Sequence, residues 1–175
     1  MATNLEFINS FEVSSSTSSF DVDNIFSDKY DVYQVLLTNY SNQTDSGGNR
    51  TKLRFIDSAG NEESGVNYNY ASLSLLAGTT FGQLKSAGDT VIDHINRVDT
   101  GTTSGNVNLT IYNPYSSSSY TFCQWQSNTK SDPSTTLGHK GIGVLKLAES
   151  MRGLWIQQVG NYAGTNIKCS VYGVK

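Results

Sequence analysis

Short runs in which hydrophobic and polar residues alternate, separated by clusters of Gly, Asn, Ser and Thr, recur along the whole chain. A period of two places successive side chains on opposite faces of a pleated strand. The run from Tyr30 to Tyr40 is the strongest. Tyr33, Val35 and Leu37 share one parity, while Val32 and Leu36 add apolar weight to the other, as in a central sandwich strand. Residues 41–49 are turn chemistry ending in Gly47 and Gly48. From Arg50 to Asp57, Leu53 and Phe55 point one way and Arg50, Lys52 and Arg54 the other, so residues 30–57 read as a hairpin. Asn106–Tyr112, with Val107, Leu109 and Ile111, and Ser119–Ser127, with Thr121, Cys123 and Trp125, read as a second hairpin.

Other segments are less regular. In Leu5–Val13, Leu5, Phe7 and Val13 share a parity that Ile8 breaks. Ser19–Phe26 sets Phe20 and Val22 against Asp21 and Asp23, and Val66–Leu76 sets Tyr68 and Tyr70 against Ala71, Leu73 and Leu75. Residues 77–89 are Gly-rich and predict a loop, and 128–140 predict a long polar one. The spacing of Val91, Ile92, Ile95 and Val98 suits a helical turn as well as a strand, and a strand is the reading adopted. Further strands are expected near 141–148, 152–159 and 166–174. Gly153 and the missing cap argue against a helix across Leu145–Trp155.

About nine to eleven short strands with turns between them predict an all-β chain: a single-domain, two-sheet β-sandwich of jelly-roll-like form. Residues 1–19 would supply an N-terminal strand or arm and a Ser/Thr-rich connection, and residues 20–175 the sandwich.

Composition agrees. Only 15% of the 175 residues are charged, against the usual quarter or so, and Asn, Ser, Thr and Gly take their place. These residues disfavour helices, whereas ten Tyr and seven Phe favour pleated strands. Net charge is −3, and the cations are scattered singly (Lys29, Arg50, Lys52, Arg54, Lys85, Arg97). No basic stripe tracks a phosphate backbone, which argues against nucleic acid. Neither a signal peptide nor an apolar run of about 18–20 residues is visible, so synthesis in a cytoplasm without membrane insertion is expected. Cys123 and Cys169 read as small buried hydrophobes. The Asn-x-Ser/Thr triplets at Asn39, Asn42, Asn49 and Asn108 are what such a composition yields by chance.

Candidate chemistry is sparse. His94 and His139 stand in no metal or catalytic spacing, and no G-x-S-x-G elbow exists, so both read as surface or packing residues. The acidic neighbours Asp21/Asp23, Asp28/Asp31 and Glu62/Glu63 lie beside turns and read as solvated loop charges. Asp21, Asp23 and Asn24 fall short of a calcium loop. Gly138–Gly143 lacks the order of a phosphate-binding loop. The expectation is therefore no catalytic residue, no metal ligand and no cofactor. Tyr68, Tyr70, Tyr112, Tyr115, Tyr120 and Tyr162, with Trp125 and Trp155, remain as interface anchors or glycan-stacking platforms, about half of them filling the core instead.

Three stretches carry a resemblance: Leu5-Glu-Phe-Ile with the Ser/Thr run and Phe26-Ser-Asp-Lys-Tyr-Asp-Val-Tyr33; Asn113-Pro-Tyr-Ser-Ser-Ser-Ser-Tyr-Thr-Phe122; and Gly153-Leu-Trp-Ile156 followed by Ser170-Val-Tyr-Gly-Val174. In this order they resemble a family of small structural proteins of tailed bacteriophages, cyanophages above all, with jelly-roll-like domains. The resemblance implies a virion component, either a capsid decoration protein or a fibre or tail module. It would assemble as a symmetric homo-oligomer such as a trimer, with capsid or tail proteins as partners. No catalytic residue is carried over. The chain has no coiled-coil or β-helical shaft, so within a fibre it would be a knob or adaptor, attached through residues 1–19. The second reading is a carbohydrate-binding module for a host-surface glycan.

Overall fold

Each alternating run sends one parity inward, and that is what turns the chain into two layers. The computed structural model describes residues 4–15, 17–42, 49–77, 81–98, 105–130, 136–158, 164–165 and 167–175. The first half of the chain forms β1 (Leu5–Val13), β2 (Ser19–Val22), β3 (Val32–Asn42), β4 (Asn49–Asp57), β5 (Tyr68–Leu76) and β6 (Gly82–Asp89). The second half forms β7 (Ile92–Val98), β8 (Gly105–Tyr112), β9 (Thr121–Lys130), β10 (Thr136–Leu145), β11 (Met151–Gln158), β12 (Gly164–Thr165) and β13 (Ile167–Val174).

The short sheet runs β2-β11-β4-β7, and the long sheet runs β1-β13-β3-β8-β9-β10-β5-β6, with β12 beside β3. All the pairings are antiparallel. The quartets β1-β13-β3-β8 and β2-β11-β4-β7 nest in the order of a jelly roll, a chain folded back on itself and rolled up. The fold is thus the predicted all-β, two-sheet sandwich. Two insertions, β5–β6 and β9–β10, pair with each other and extend the long sheet past β8. Strand β7, at the rim of the short sheet, covers the inner face of β9, β10 and β5.

Between the sheets, Tyr33, Val35 and Leu37 of β3 meet Leu53 and Phe55 of β4, Ile92 and Ile95 of β7, Leu109 and Ile111 of β8, and Leu154 and Ile156 of β11. All of these are fully buried. Each such side chain contributes on the order of 1.5–3 kcal/mol. Cys123 and Cys169 are buried and unpaired, and burial pushes both thiols up to about 12.

Two sequence readings need correction, and two of the expected strands carry bulges. Strands β3 and β4 do not form a hairpin: they lie in different sheets, and their apolar faces meet across the core. Alternation is identical for strands that pair and strands that pack. Residues 82–89 form a strand, not a loop; β6 is an edge strand with Leu84 as its only hydrophobic side chain packed on the core among the described residues, so its period was weak. The helix-like spacing in β7 comes from a bulge, since Thr51 pairs with Asn96 but Leu53 with Ile92. The extra residues include His94 at φ 61°, which lets Ile92 and Ile95 both point inward. Strand β1 lies where the sequence predicts an N-terminal strand, over Leu5–Val13. It pairs with β13 along its length, and a bulge between Phe7 and Asn9 switches parity, so that Leu5 and Phe7 face out while Phe11 and Val13 pack inward.

Candidate binding face

The outer face of the long sheet, turned away from the core, holds the residues of greatest functional interest. The extension past β8 leaves it broad, and the ladder registers place its side chains in rows. One row crosses Gln34, Thr110, Gln124, Ile142, Ala71 and Lys85. A neighbouring row crosses Leu36, Asn108, Gln126, Lys140, Leu73 and Gln83, and on the other side lie Tyr112, Phe122, Val144 and Asn69. Ile142 is 64% exposed, Leu73 50% and Phe122 47%. Three apolar side chains this open on adjacent strands are what a solvated sheet face avoids.

The face is hollowed in two adjoining places. One hollow of about 520 Å³ lies over Leu73, Gln83, Lys85, Asn108, Gln126 and Lys140. The other, about 800 Å³, lies over Asn69, Ala87, Tyr112, Phe122 and Val144. Ala71, Lys85, Gln124 and Ile142 border both. The amides are tied to their neighbours: Gln34 Nε2 donates to Asn108 Oδ1 at 3.1 Å, Gln124 Nε2 to the Tyr112 hydroxyl at 2.8 Å, and Asn106 Nδ2 to Asn128 Oδ1 at 3.1 Å. Each such bond restricts a flexible side chain while leaving further donors and acceptors toward solvent.

At the far end of the same face, Leu5 and Phe7 stand out from β1, with Phe7 58% exposed and edge-on to Tyr172 at 5.8 Å between centroids. Glu6 sits between Lys29 and Lys175, whose hydrogen bonds hold its carboxyl at about 2.

Of the aromatics singled out from the sequence, only some reach a surface. Tyr68 and Tyr70 are buried. The Tyr68 hydroxyl accepts from Phe55 N–H and donates to Glu63 C=O, both at 3.0 Å, and desolvation raises both phenols, Tyr70 to about 12. Trp125 and Trp155 are buried too. Tyr112 lies half-buried on the hollowed face, and Tyr115 and Tyr120 are exposed in the β8–β9 connection. Tyr162 lies outside the described residues. Phe122 was missed by sequence reasoning, although its parity opposite Thr121, Cys123 and Trp125 was a usable signal.

Inside, the fold brings together two histidines that the sequence left unrelated. The rings of His94 and His139 lie 6.0 Å apart between β7 and β10. His139 Nδ1 is 3.1 Å from Ser74 Oγ. Asp93 pairs with Arg50 at 3.2 Å, and its Oδ1 accepts the His94 backbone N–H at 2.8 Å. His139 is 1% exposed. Burial, then the charges of His94 and Arg97, lower its pKa to about 4. Sealed from solvent and neutral, it packs as an interior group. Asp23, one of the three calcium-site candidates, is held instead by Arg152, whose Nε donates to Oδ1 at 2.7 Å; that hydrogen bond lowers its pKa. Among the described residues no group of three or more His, Cys, Asp or Glu could hold a metal ion.

No protein-family model matches the chain, and no curated protein matches it. Among solved structures it is similar to the marine PL-14 alginate lyase from Aplysia kurodai, at 10% identity and a TM-score of 0.38, over 98% of this chain and 81% of that one.

Proposed function

We propose that this protein is a non-enzymatic accessory subunit of a tailed-phage particle, a capsid decoration or a fibre or tail module, working through protein–protein surfaces. The single observation that carries the surface reading is the pair Leu5 and Phe7, open to solvent beside Tyr172 on an edge strand of the long sheet. Exposed aromatic and aliphatic groups at an edge are suited to burial against a neighbouring subunit. The resemblance of Phe26–Tyr33, Asn113–Phe122 and Ser170–Val174 to phage structural proteins supplies the particle as the setting, with capsid or tail proteins and further copies of the chain as partners. Mass spectrometry of purified particles tests this directly. The account expects the chain in stoichiometric amount, and its absence from particles of a phage that encodes it contradicts the reading.

A specific observation favours a second reading, a carbohydrate-binding module. The hollowed half of the face combines fixed amides with an apolar floor, the mixture that hydrogen-bonds hydroxyls and packs on ring C–H faces. The two readings use opposite ends of one sheet, so a single subunit can carry both.

A further inference from the structure

We infer that the hollowed face binds an anionic polysaccharide, carboxylated or sulfated, with Lys85 and Lys140 as the groups that select its charge. The inference rests on the carbohydrate reading and specifies the class of glycan. Its ground is the charge of the lining. The protein as a whole is acidic, at −3, with 15 carboxylate side chains against 12 cationic ones. Yet among the described residues no Asp or Glu borders either hollow, and the only charged side chains there are Lys85 and Lys140.

Neither lysine is neutralised locally. No carboxylate pairs with either among the described residues, whereas Lys29 and Lys175 both pair with Glu6. Lys140 of β10 is in register with Leu73, and Lys85 of β6 with Ala71. The two ammonium groups therefore stem from strands separated by β5, roughly 10 Å apart across the sheet and offset along it. Between them lie Leu73, Ala71 and Ile142, and around them Gln83, Asn108, Gln124 and Gln126. Two separated point charges over an apolar floor, ringed by amides, match a chain of sugar rings carrying repeated anionic groups. A concave site lined by one sign of charge also concentrates its field.

Affinity electrophoresis of the full chain through gels containing polygalacturonate, dextran sulfate or neutral dextran tests this. At low salt the account expects retardation by at least one of the two anionic polymers and none by dextran. The K85Q/K140Q variant should bind roughly tenfold more weakly or worse, a loss of ion-pair energy read on the affinity scale. Retardation should also fall steeply with added salt. The K52Q/K168Q variant removes equal charge away from the hollows and should bind like the parent, and matching melting curves confirm that all forms are folded. Equal weakening by both double variants overturns the proposal, because the attraction would then be diffuse. Retardation by dextran that survives K85Q/K140Q but is lost in Ile142→Asp also overturns it, while leaving the carbohydrate reading standing. Retardation by none of the three polymers overturns both.

Discussion

Gly141 pairs with Trp125 across the β9–β10 ladder, and the indole occupies the space a side chain at 141 would need: an added Cβ would lie 2.5 Å from Cε2 and closer still to Cζ2. Both residues are buried beneath the centre of the hollowed face, next to Ile142. The indole thus fills the core on one side of β10 while its neighbour stands open on the other.

Gly141→Ala should therefore destabilise the fold by about 1–3 kcal/mol, the usual cost of overpacking. Tm should fall by roughly 2–4 °C for each kcal/mol lost. The clash belongs to the pair, so the same substitution in a Trp125→Leu background should cost measurably less. Denaturant titration of the four variants checks this, and equal costs in both backgrounds would remove the indole as the cause.

Stability should depend on pH through His139. Its pKa is about 4 in the fold against about 6.5 when unfolded. Above pH 6.5 both states are neutral and the contribution is fully present. Between 6.5 and 4 the unfolded chain takes up a proton that the folded one refuses, so stability falls by up to about 1.4 kcal/mol per pH unit. The groups facing His139 are His94, Ser74 and Arg97. Unfolding free energies measured from pH 7 to 4 should show this slope, and His139→Asn should flatten it. The carboxylates Asp23 and Asp57, whose pKa values are lowered by hydrogen bonds, lose their contribution only below the ordinary carboxylate range, outside this window.

Tyr68→Phe should cost about 1–3 kcal/mol despite removing a single oxygen. That oxygen accepts the Phe55 N–H and donates to the Glu63 carbonyl, both at 3.0 Å, and the phenylalanine leaves a buried backbone donor without a partner. Thermal melts of the variant check it. An unchanged Tm would mean that the Phe55–Glu63 segment shifts to satisfy itself.

Phe7→Asp, by contrast, should leave the fold within about 1 kcal/mol of the parent, since the ring sits edge-on to Tyr172 and is mostly in water. What it should abolish is incorporation into particles, read by comparing virions assembled with the parent and the variant chains. Normal incorporation would show that the β1 end of the sheet is not the contact.

The inward parities of β3, β4, β8 and β9 were legible in the sequence, because Tyr33, Val35, Leu37, Leu53, Phe55, Val107, Leu109, Ile111, Cys123 and Trp125 each keep one parity along their strand. Where a bulge intervenes, parity misleads. Leu5 and Phe7 share a parity with Val13 yet face the opposite way, and Ile92 and Ile95 point inward together around the left-handed His94. The hollowed face was half visible. Ala71, Leu73 and Leu75 stood opposite Tyr68 and Tyr70 in the pattern, but with both parities apolar nothing local decides which one meets the core. The structure buries the tyrosines, and their hydroxyls find partners there. The approach of His94 to His139 depends on the rolled pairing of strands far apart in sequence, and no local spacing encodes it.

The most direct test of the proposed role is an electron-microscopy map of the phage particle at a resolution that shows strands. The account predicts density for this jelly roll on the capsid or tail, with the Leu5–Phe7 end of the long sheet covered by a neighbour and the face over Lys85 and Lys140 open to solvent. A particle with no such density, or a bound subunit whose β1 end stands bare, would contradict it.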